Sequence, residues 1–366
     1  MSLEQRFGLQ LAIQKWITIP NYPLCVTKHS KFIVFLKYFL IFLLNFTVFR
    51  DIQNLLSQLS LNFFEDRSKL SLTLSILDSF LVKSIILIIT TFSIVKNKSH
   101  RKLLECMDKF NNEFCQHFQE HKNHSFCKKF NILPIMVLIY NASCNIFYFY
   151  LIPFGSNLLD YIWVLTTIIH LTISDITLCY ILNFLDIFQI YLTLLKKDIV
   201  GSFIKKSLII CDIWQKHRDL SKQFNSTFSF LITYYLFHHF MEGSFAIYFG
   251  INKIVHPTTN YSKIIPLLSF VGWFSRSAFL LFAISSSCDN FYQKNIAYIE
   301  SINRTMVYKS LNNFNAYQTI KINAFQIPKI SAMNIFYIDA KTFFMIFASI
   351  TSNLFILLQF KIIEDS

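Results

Sequence analysis

Glu242 and Arg276 are the residues whose chemistry is hardest to reconcile with their surroundings. Each lies inside an apolar run long enough to cross a bilayer, Phe230 to Ile251 and Pro266 to Ser285, and an ionisable side chain in hydrocarbon marks a functional or pairing role. Glu242 lies 9 residues before Ile251 and Arg276 lies 10 after Pro266. At 1.5 Å per residue both sit about 14 to 15 Å deep, and the short loop between the two runs makes them neighbours that can pair. Such a pair is either a structural clamp or the polar floor of a ligand cavity. Asp78, Asn141, Asn145, Tyr148, Tyr161, Trp163, His170, Tyr248 and Trp273 gather in the outer halves of the middle spans. Aromatic residues near the surface serve as interfacial anchors, but Trp163 and Trp273 sit deeper, where they can stack on an organic ligand. The expected ligand-binding set is Trp163, His170, Glu242, Trp273 and Arg276.

Two histidine clusters invite a metal or enzyme reading. His238 and His239 are adjacent in the string FHHF, but iron-binding membrane enzymes need several such boxes, and the other histidine within a span is His170. His117, His121 and His124, near Cys115 and Cys127, have helical spacing without the C-x-x-C or four-ligand pattern of structural zinc. A solvated helix accounts for them better. No G-x-S-x-G, G-x-G-x-x-G or P-loop string occurs, so acyl-transfer and nucleotide chemistry lack support. The expectation is a protein that is not an enzyme, with no metal and no cofactor.

The elements that position these residues follow from composition. Of 366 residues, 54% are hydrophobic and 15% charged, against about a quarter charged in a soluble domain, so most of the chain must sit in lipid. Seven apolar runs of roughly 20 residues can each span a bilayer: Phe32 to Phe49, Leu70 to Val95, Ile132 to Ile152, Leu158 to Leu182, Phe230 to Ile251, Pro266 to Ser285 and Thr342 to Phe360. The first 31 residues have no short apolar core with a small-residue cleavage site, so they do not read as a signal peptide.

The net charge of +13 would suggest nucleic acid in a soluble protein. In a membrane protein it marks the cytoplasmic side, and no nucleic-acid partner is expected. Lys and Arg crowd the N-terminal segment, the loops after spans two and four, and the segment before span seven. The opposite side holds Arg50, Arg67, Lys69, Lys253 and Lys263. The N-terminus is therefore expected in the cytoplasm and the C-terminal KIIEDS outside, the inverse of a G-protein-coupled receptor. No cysteine falls in an external loop, so a disulfide framework is not expected. Asn260, in NYS, is the one sequon in a luminal loop.

From Leu158 to Leu195 the sequence stays apolar and periodic for 38 residues, about 57 Å of helix and nearly twice the hydrocarbon thickness. Span four should continue into the cytoplasm. The helical patterns FIKKSLIICDIWQKHRDLSKQF and CDNFYQKNIAYIESINRTMVYKSLNNFN should project beside it as an intracellular bundle, with Ile209, Ile213, Trp214 and Leu220 at helix spacing.

The stretch ISAMNIFYIDAKTFFMIFASITSNLFILLQF resembles the C-terminal signature of the insect gustatory receptors. In that signature an apolar segment with a near-central Asp runs into Thr-Tyr, five apolar residues and Gln-Phe. Asp339 matches the acid, Ser352 and Asn353 stand for Thr-Tyr, Leu354 to Leu358 are the apolar five, and Gln359 and Phe360 close the motif. Asn353 departs from the pattern by removing an aromatic ring. The resemblance implies a tetrameric ligand-gated cation channel, a homotetramer or a heteromer with related subunits, whose seventh span lines a central pore. On a helix Ser349, Ser352, Ile356, Gln359 and Phe360 trace one stripe, suited to a wettable pore with a narrow outer gate. A span packed in a monomeric bundle, with its Ser residues as close-contact points, is the alternative.

The expected architecture is all-α, a seven-transmembrane helical protein of the plasma membrane. It divides into a cytoplasmic segment (1–31), a six-helix ligand-sensing domain with cytoplasmic extensions (32–285), anchor helices (286–341), the pore helix (342–360) and an extracellular tail (361–366). Its expected partners are a small organic tastant, membrane lipid and permeant cations. Leu354 replaces the acidic residue that sweet-sensing members of the family often carry, which weighs against sugar. An odorant receptor of the same superfamily shares the architecture. A metabotropic receptor fits poorly with the inverted orientation, and a transporter lacks its internal repeats.

Overall fold

The computed structural model describes residues 31–62, 69–118, 139–140, 158–255, 264–308 and 327–365. Its helices are α1 (Lys31–Asn62), α2 (Lys69–Val95), α3 (Asn97–His117), α4 (Leu158–Val255), α5 (Ile264–Tyr308) and α6 (Ala340–Asp365), with strands β1 (Ser331–Ala332) and β2 (Phe336–Tyr337) before α6. Apolar runs become helices because a segment in lipid must satisfy its backbone polar groups internally. Span one lies in α1, span two in α2, spans four and five in the two ends of α4, span six in α5 and span seven in α6. Residues 139 and 140 of span three are helical, and the rest of that span lies outside the described residues, as do Asn141, Asn145, Tyr148 and Asn260. Among the described residues Ile76–Val95, Leu165–Lys197 and Ala340–Phe360 are each long and apolar enough to cross a membrane.

A straight helix of the 98 residues in α4 would be about 147 Å long. Instead α4 folds back on itself. Tyr235 Oη donates to the Ser174 carbonyl at 2.8 Å, and His217 Nε2 meets the Phe188 carbonyl at 3.1 Å. The reversal falls between Phe188 and His217. The amphipathic patterns expected before span five and after span six are therefore continuations of α4 and α5, and Ile213, Trp214 and Leu220 are buried where they meet.

At this end α3 lays Leu103, Leu104, Met107 and Phe110, spaced three and four apart, into a core shared with α4 and α5. Phe184, Phe188, Phe224 and Phe228 of the two α4 halves pack ring against ring. His100 Nε2 and Tyr180 Oη lie 2.8 Å apart within that core. Burial drives the pKa of His100 down to about 3 and that of His217 down to about 4, since an imidazolium has no water there.

Two stretches differ from the expected layout. The segment expected to hold only anchor helices closes with the β1–β2 hairpin, in which Ser331 pairs with Tyr337 and Ala332 with Phe336. Its turn places Met333 and Asn334 at positive φ of 51° and 62°, and the Ile335 amide donates to the Ala332 carbonyl. Asn225 of α4 holds it: Oδ1 accepts from the Ser331 amide at 3.0 Å and Nδ2 donates to Ser331 Oγ at 2.9 Å. The expected tail continues as helix to Asp365, because Ile362 and Ile363 extend the apolar run without a breaker.

Candidate functional site

Arg276 sits where α5 crosses both ends of α4, and it is 1% exposed. Its Nη1 donates to both carboxylate oxygens of Glu242, at 2.7 and 2.9 Å. Its Nη2 and Nε donate to Asp175 Oδ1 and Oδ2 at 2.7 and 3.2 Å, the two-pronged geometry that suits a guanidinium to a carboxylate. Matched depth thus does bring Glu242 and Arg276 together. Asp175, fully buried, is the partner that the sequence reading did not single out. The signal was available, since it is an ionisable residue within the Leu158 to Leu182 run.

The spacing of α4 builds the rest of the cluster. Tyr234, His238 and Glu242 recur every fourth residue, and Tyr235 and His239 share the adjoining face. His239 Nδ1 lies 3.1 Å from Glu242 Oε2, and Ser277 Oγ donates to the same oxygen at 2.6 Å. Tyr234 stacks on His238 and Tyr235 on His239, with centroids 6.1 Å apart in each case. Tyr234 Oη also meets Ser84 Oγ of α2 at 2.9 Å. Trp273 presents its ring 5.5 Å from the Arg276 guanidinium carbon, a cation–π contact.

His170 lies apart from the ion cluster. It is buried, with Nε2 3.4 Å from Thr47 Oγ1 of α1. Lys83, another intramembrane charge that the sequence reading passed over, is fully buried on α2 and donates to Thr166 Oγ1 at 3.1 Å. Together these residues make a polar layer across α1, α2, α4 and α5. Asp78 is half-buried and Tyr248 fully buried. The backbone of Trp163 lies in α4; the side chains of Trp163 and Tyr161 lie outside the described residues.

The helix α6 is held along one edge. Ile350 is 2% exposed, and Leu354 and Leu357 pack against the cluster of Leu74, Leu81, Phe245 and Tyr248. Those three residues share one helical face. Phe343 meets Phe282, and Phe347 meets Phe274. Ser349, Ser352, Ile356, Gln359 and Phe360 are all exposed, turned away from the edge that packs on the chain. Asp339 starts the helix: its Oδ1 accepts from the Thr342 amide at 2.9 Å, while Thr342 Oγ1 accepts from the Asp339 amide at 3.2 Å. This reciprocal pair is a capping arrangement, and it explains an acid at that place in the motif.

A family model described as 7tm Chemosensory receptor matches residues 16–364. No curated protein matches the chain. Among solved structures, the chain is similar to the insect olfactory receptor OR5 from Machilis hrabei, at 13% identity and a TM-score of 0.65 over 97% of each chain. The same receptor in complex with eugenol gives 13% identity and a TM-score of 0.61 over the same shares. At that identity the likeness shows the fold, a seven-helix membrane architecture.

Proposed function

The chain belongs to the 7tm chemosensory receptor family, and from that premise we propose that it is a gustatory receptor acting as a cation channel opened by a small organic tastant. The observation that carries this reading is the attachment of α6 by one edge. A span that packs through Ile350, Leu354 and Leu357 and leaves a stripe of Ser349, Ser352, Ile356, Gln359 and Phe360 open suits a helix whose other face meets copies of itself around an axis. Four copies would turn that stripe inward, with Ser hydroxyls wetting the pore and Gln359 and Phe360 narrowing its outer mouth. Homotetramers or heteromers with related subunits are both compatible with this arrangement.

The ligand enters from outside, with the N-terminus in the cytoplasm of a plasma-membrane protein, as the Lys and Arg distribution favours. Residues 32–285 form the sensing unit, and 342–360 the pore. The ligand cavity of this reading takes Glu242 and Arg276 as its polar floor and Trp273 as its aromatic wall, with His170 and Trp163 as its further ligand-binding residues. The eugenol complex of OR5 supports a small organic ligand for this chain. It also favours the second reading, an odorant receptor with the same channel mechanism. The C-terminal motif that closes in Gln359 and Phe360 favours taste. A ligand panel read by calcium imaging, followed by excised patches lacking soluble cofactors, tests the proposal. Ligand-evoked current that persists after excision supports a channel. Loss of current on excision, with rescue by nucleotide, would instead indicate a metabotropic receptor.

A further inference from the structure

We propose that His238, His239 and Glu242 form a three-donor site for a borderline divalent cation, zinc above all, within the buried polar layer. One donor atom from each residue lies within 4.8 Å of the others. The edges of this triangle that meet Glu242 Oε2 measure 3.1 Å from His239 Nδ1 and 4.0 Å from His238 Nε2. Zinc bound at about 2.0–2.2 Å to nitrogen and oxygen in a tetrahedral site sets its donors roughly 3.3–3.5 Å apart. The His239–Glu242 edge is near that length already, the His238–Glu242 edge closes by roughly half an ångström, and the third is within 4.8 Å. The donors come from one helix, with His238 and His239 four and three residues before Glu242 on adjoining faces that both reach its carboxylate.

A second observation points to an occupant. His238 is fully buried, and neither ring nitrogen has a hydrogen-bond partner. A buried polar atom without a hydrogen-bond partner is costly, so this ring is poorly explained as packing alone. Its Nε2 nonetheless faces the Glu242 carboxylate, and neutral imidazole is a metal ligand.

The proton and charge arithmetic is consistent. His239 Nε2 is also buried without a partner. A shift of the ring proton from Nδ1 to Nε2 frees the Nδ1 lone pair, and neither imidazole loses a net proton. Arg276 keeps Asp175 through Nη2 and Nε and keeps Glu242 Oε1 through Nη1, so a cation at Oε2 replaces the donations that this oxygen takes from Arg276 Nη1 and Ser277 Oγ. Two imidazoles with one carboxylate select zinc over magnesium or calcium. The fourth coordination position stays open for water or a ligand atom.

The site is a binding claim that stands whether or not the chain conducts. Its test uses the purified full-length chain in lipid nanodiscs, titrated with cobalt as a spectroscopic probe and with zinc as competitor. The expected result is one cobalt per chain with the visible absorption of a low-coordinate site, displaced by zinc, and a rise in melting temperature. His238→Phe keeps the ring on Tyr234, so it should fold at least as stably as the parent without metal and bind cobalt at least about tenfold more weakly. His239→Gln should weaken binding likewise. Absence of uptake by the parent, or uptake and thermal shift unchanged in both variants, would overturn the site. An equal thermal shift with magnesium would also overturn it.

Discussion

Gly243 and Ile350 meet where the buried ion cluster touches the seventh span: a Cβ on Gly243 would stand 3.5 Å from Ile350 Cδ1. Gly243 follows Glu242 directly, and Ile350 is the residue that α6 buries between its exposed Ser349 and Thr351. The contact is the short path by which a change at Glu242 and Arg276 reaches the proposed pore. Alanine fits at ordinary contact distances, since Ser277 Cβ and Phe274 Cδ2 would lie at 3.7 and 3.8 Å. Valine adds methyls that must push Ile350 outward. Gly243→Ala should therefore behave as the parent, and Gly243→Val should raise ligand-independent current per unit of surface protein. Equal basal currents in both variants would show that this contact does not couple the two regions.

Arg276 holds two carboxylates, so its loss should be worse than the loss of either acid. Arg276→Ala takes the guanidinium away from both Asp175 and Glu242 in a low-dielectric layer and should cost about 3–5 kcal/mol. Glu242→Gln or Asp175→Asn should cost less, because the guanidinium keeps one partner. The double variant Glu242→Ala/Arg276→Ala should recover part of the loss, with a coupling of about 1–3 kcal/mol. Melting temperatures and surface levels measure this. Strictly additive losses would show that the side chains do not meet.

The Glu242–Arg276 contact is legible in the sequence because two charges at equal depth in spans joined by a short loop have each other to solvate them. Asp175 is harder to find: its depth in span four gives no information on which neighbouring span it faces, and packing decides that. The fold-back of α4 follows from reading spans four and five as separate crossings with their extensions side by side, though periodicity does not mark the reversal itself. The hairpin is similarly hidden, since its turn uses Met333 and Asn334 at positive φ where a glycine would have signalled it. The stripe on α6 could be drawn from residue spacing alone; that it faces away from its own chain required the positions of Leu354 and Leu357.

Acid should loosen the helical end opposite the proposed outer cavity. His100 and His217 titrate near 6.5 when unfolded and near 3 and 4 when folded, so their stability contribution is complete above pH 6.5 and falls as pH drops below it. At pH 5.5 each loses roughly 1.4 kcal/mol relative to neutral pH, about 3 kcal/mol together. The melting temperature should fall between pH 7.5 and 5.5, and His100→Phe/His217→Phe should flatten that dependence. A slope unchanged in the double variant would assign it to other groups.

Asp339 caps α6, and the cap is a hydrogen bond rather than a charge effect. Asp339→Ala should lower stability by about 1 kcal/mol, whereas Asp339→Asn should nearly match the parent because Asn caps as well as Asp. Thermal melting of the two variants checks the order. A loss in Asp339→Asn equal to that in Asp339→Ala would mean that the carboxylate charge itself is required.

Whole-cell current normalised to surface protein, recorded for Phe360→Ala and Gln359→Glu, tests the pore most directly. Each substitution in a four-fold pore is repeated around the axis, so small changes in size or polarity multiply. Phe360→Ala should remove an apolar constriction that closes by dewetting and produce current without ligand. Gln359→Glu should add a ring of negative charge and alter divalent permeation or block, while Ser349→Ala, which keeps a small side chain, should change little. If α6 instead packs in a monomeric bundle, Phe360→Ala lowers surface level and leaves basal current and selectivity as they were. Unchanged permeation in both gate variants would contradict a pore lined by this stripe.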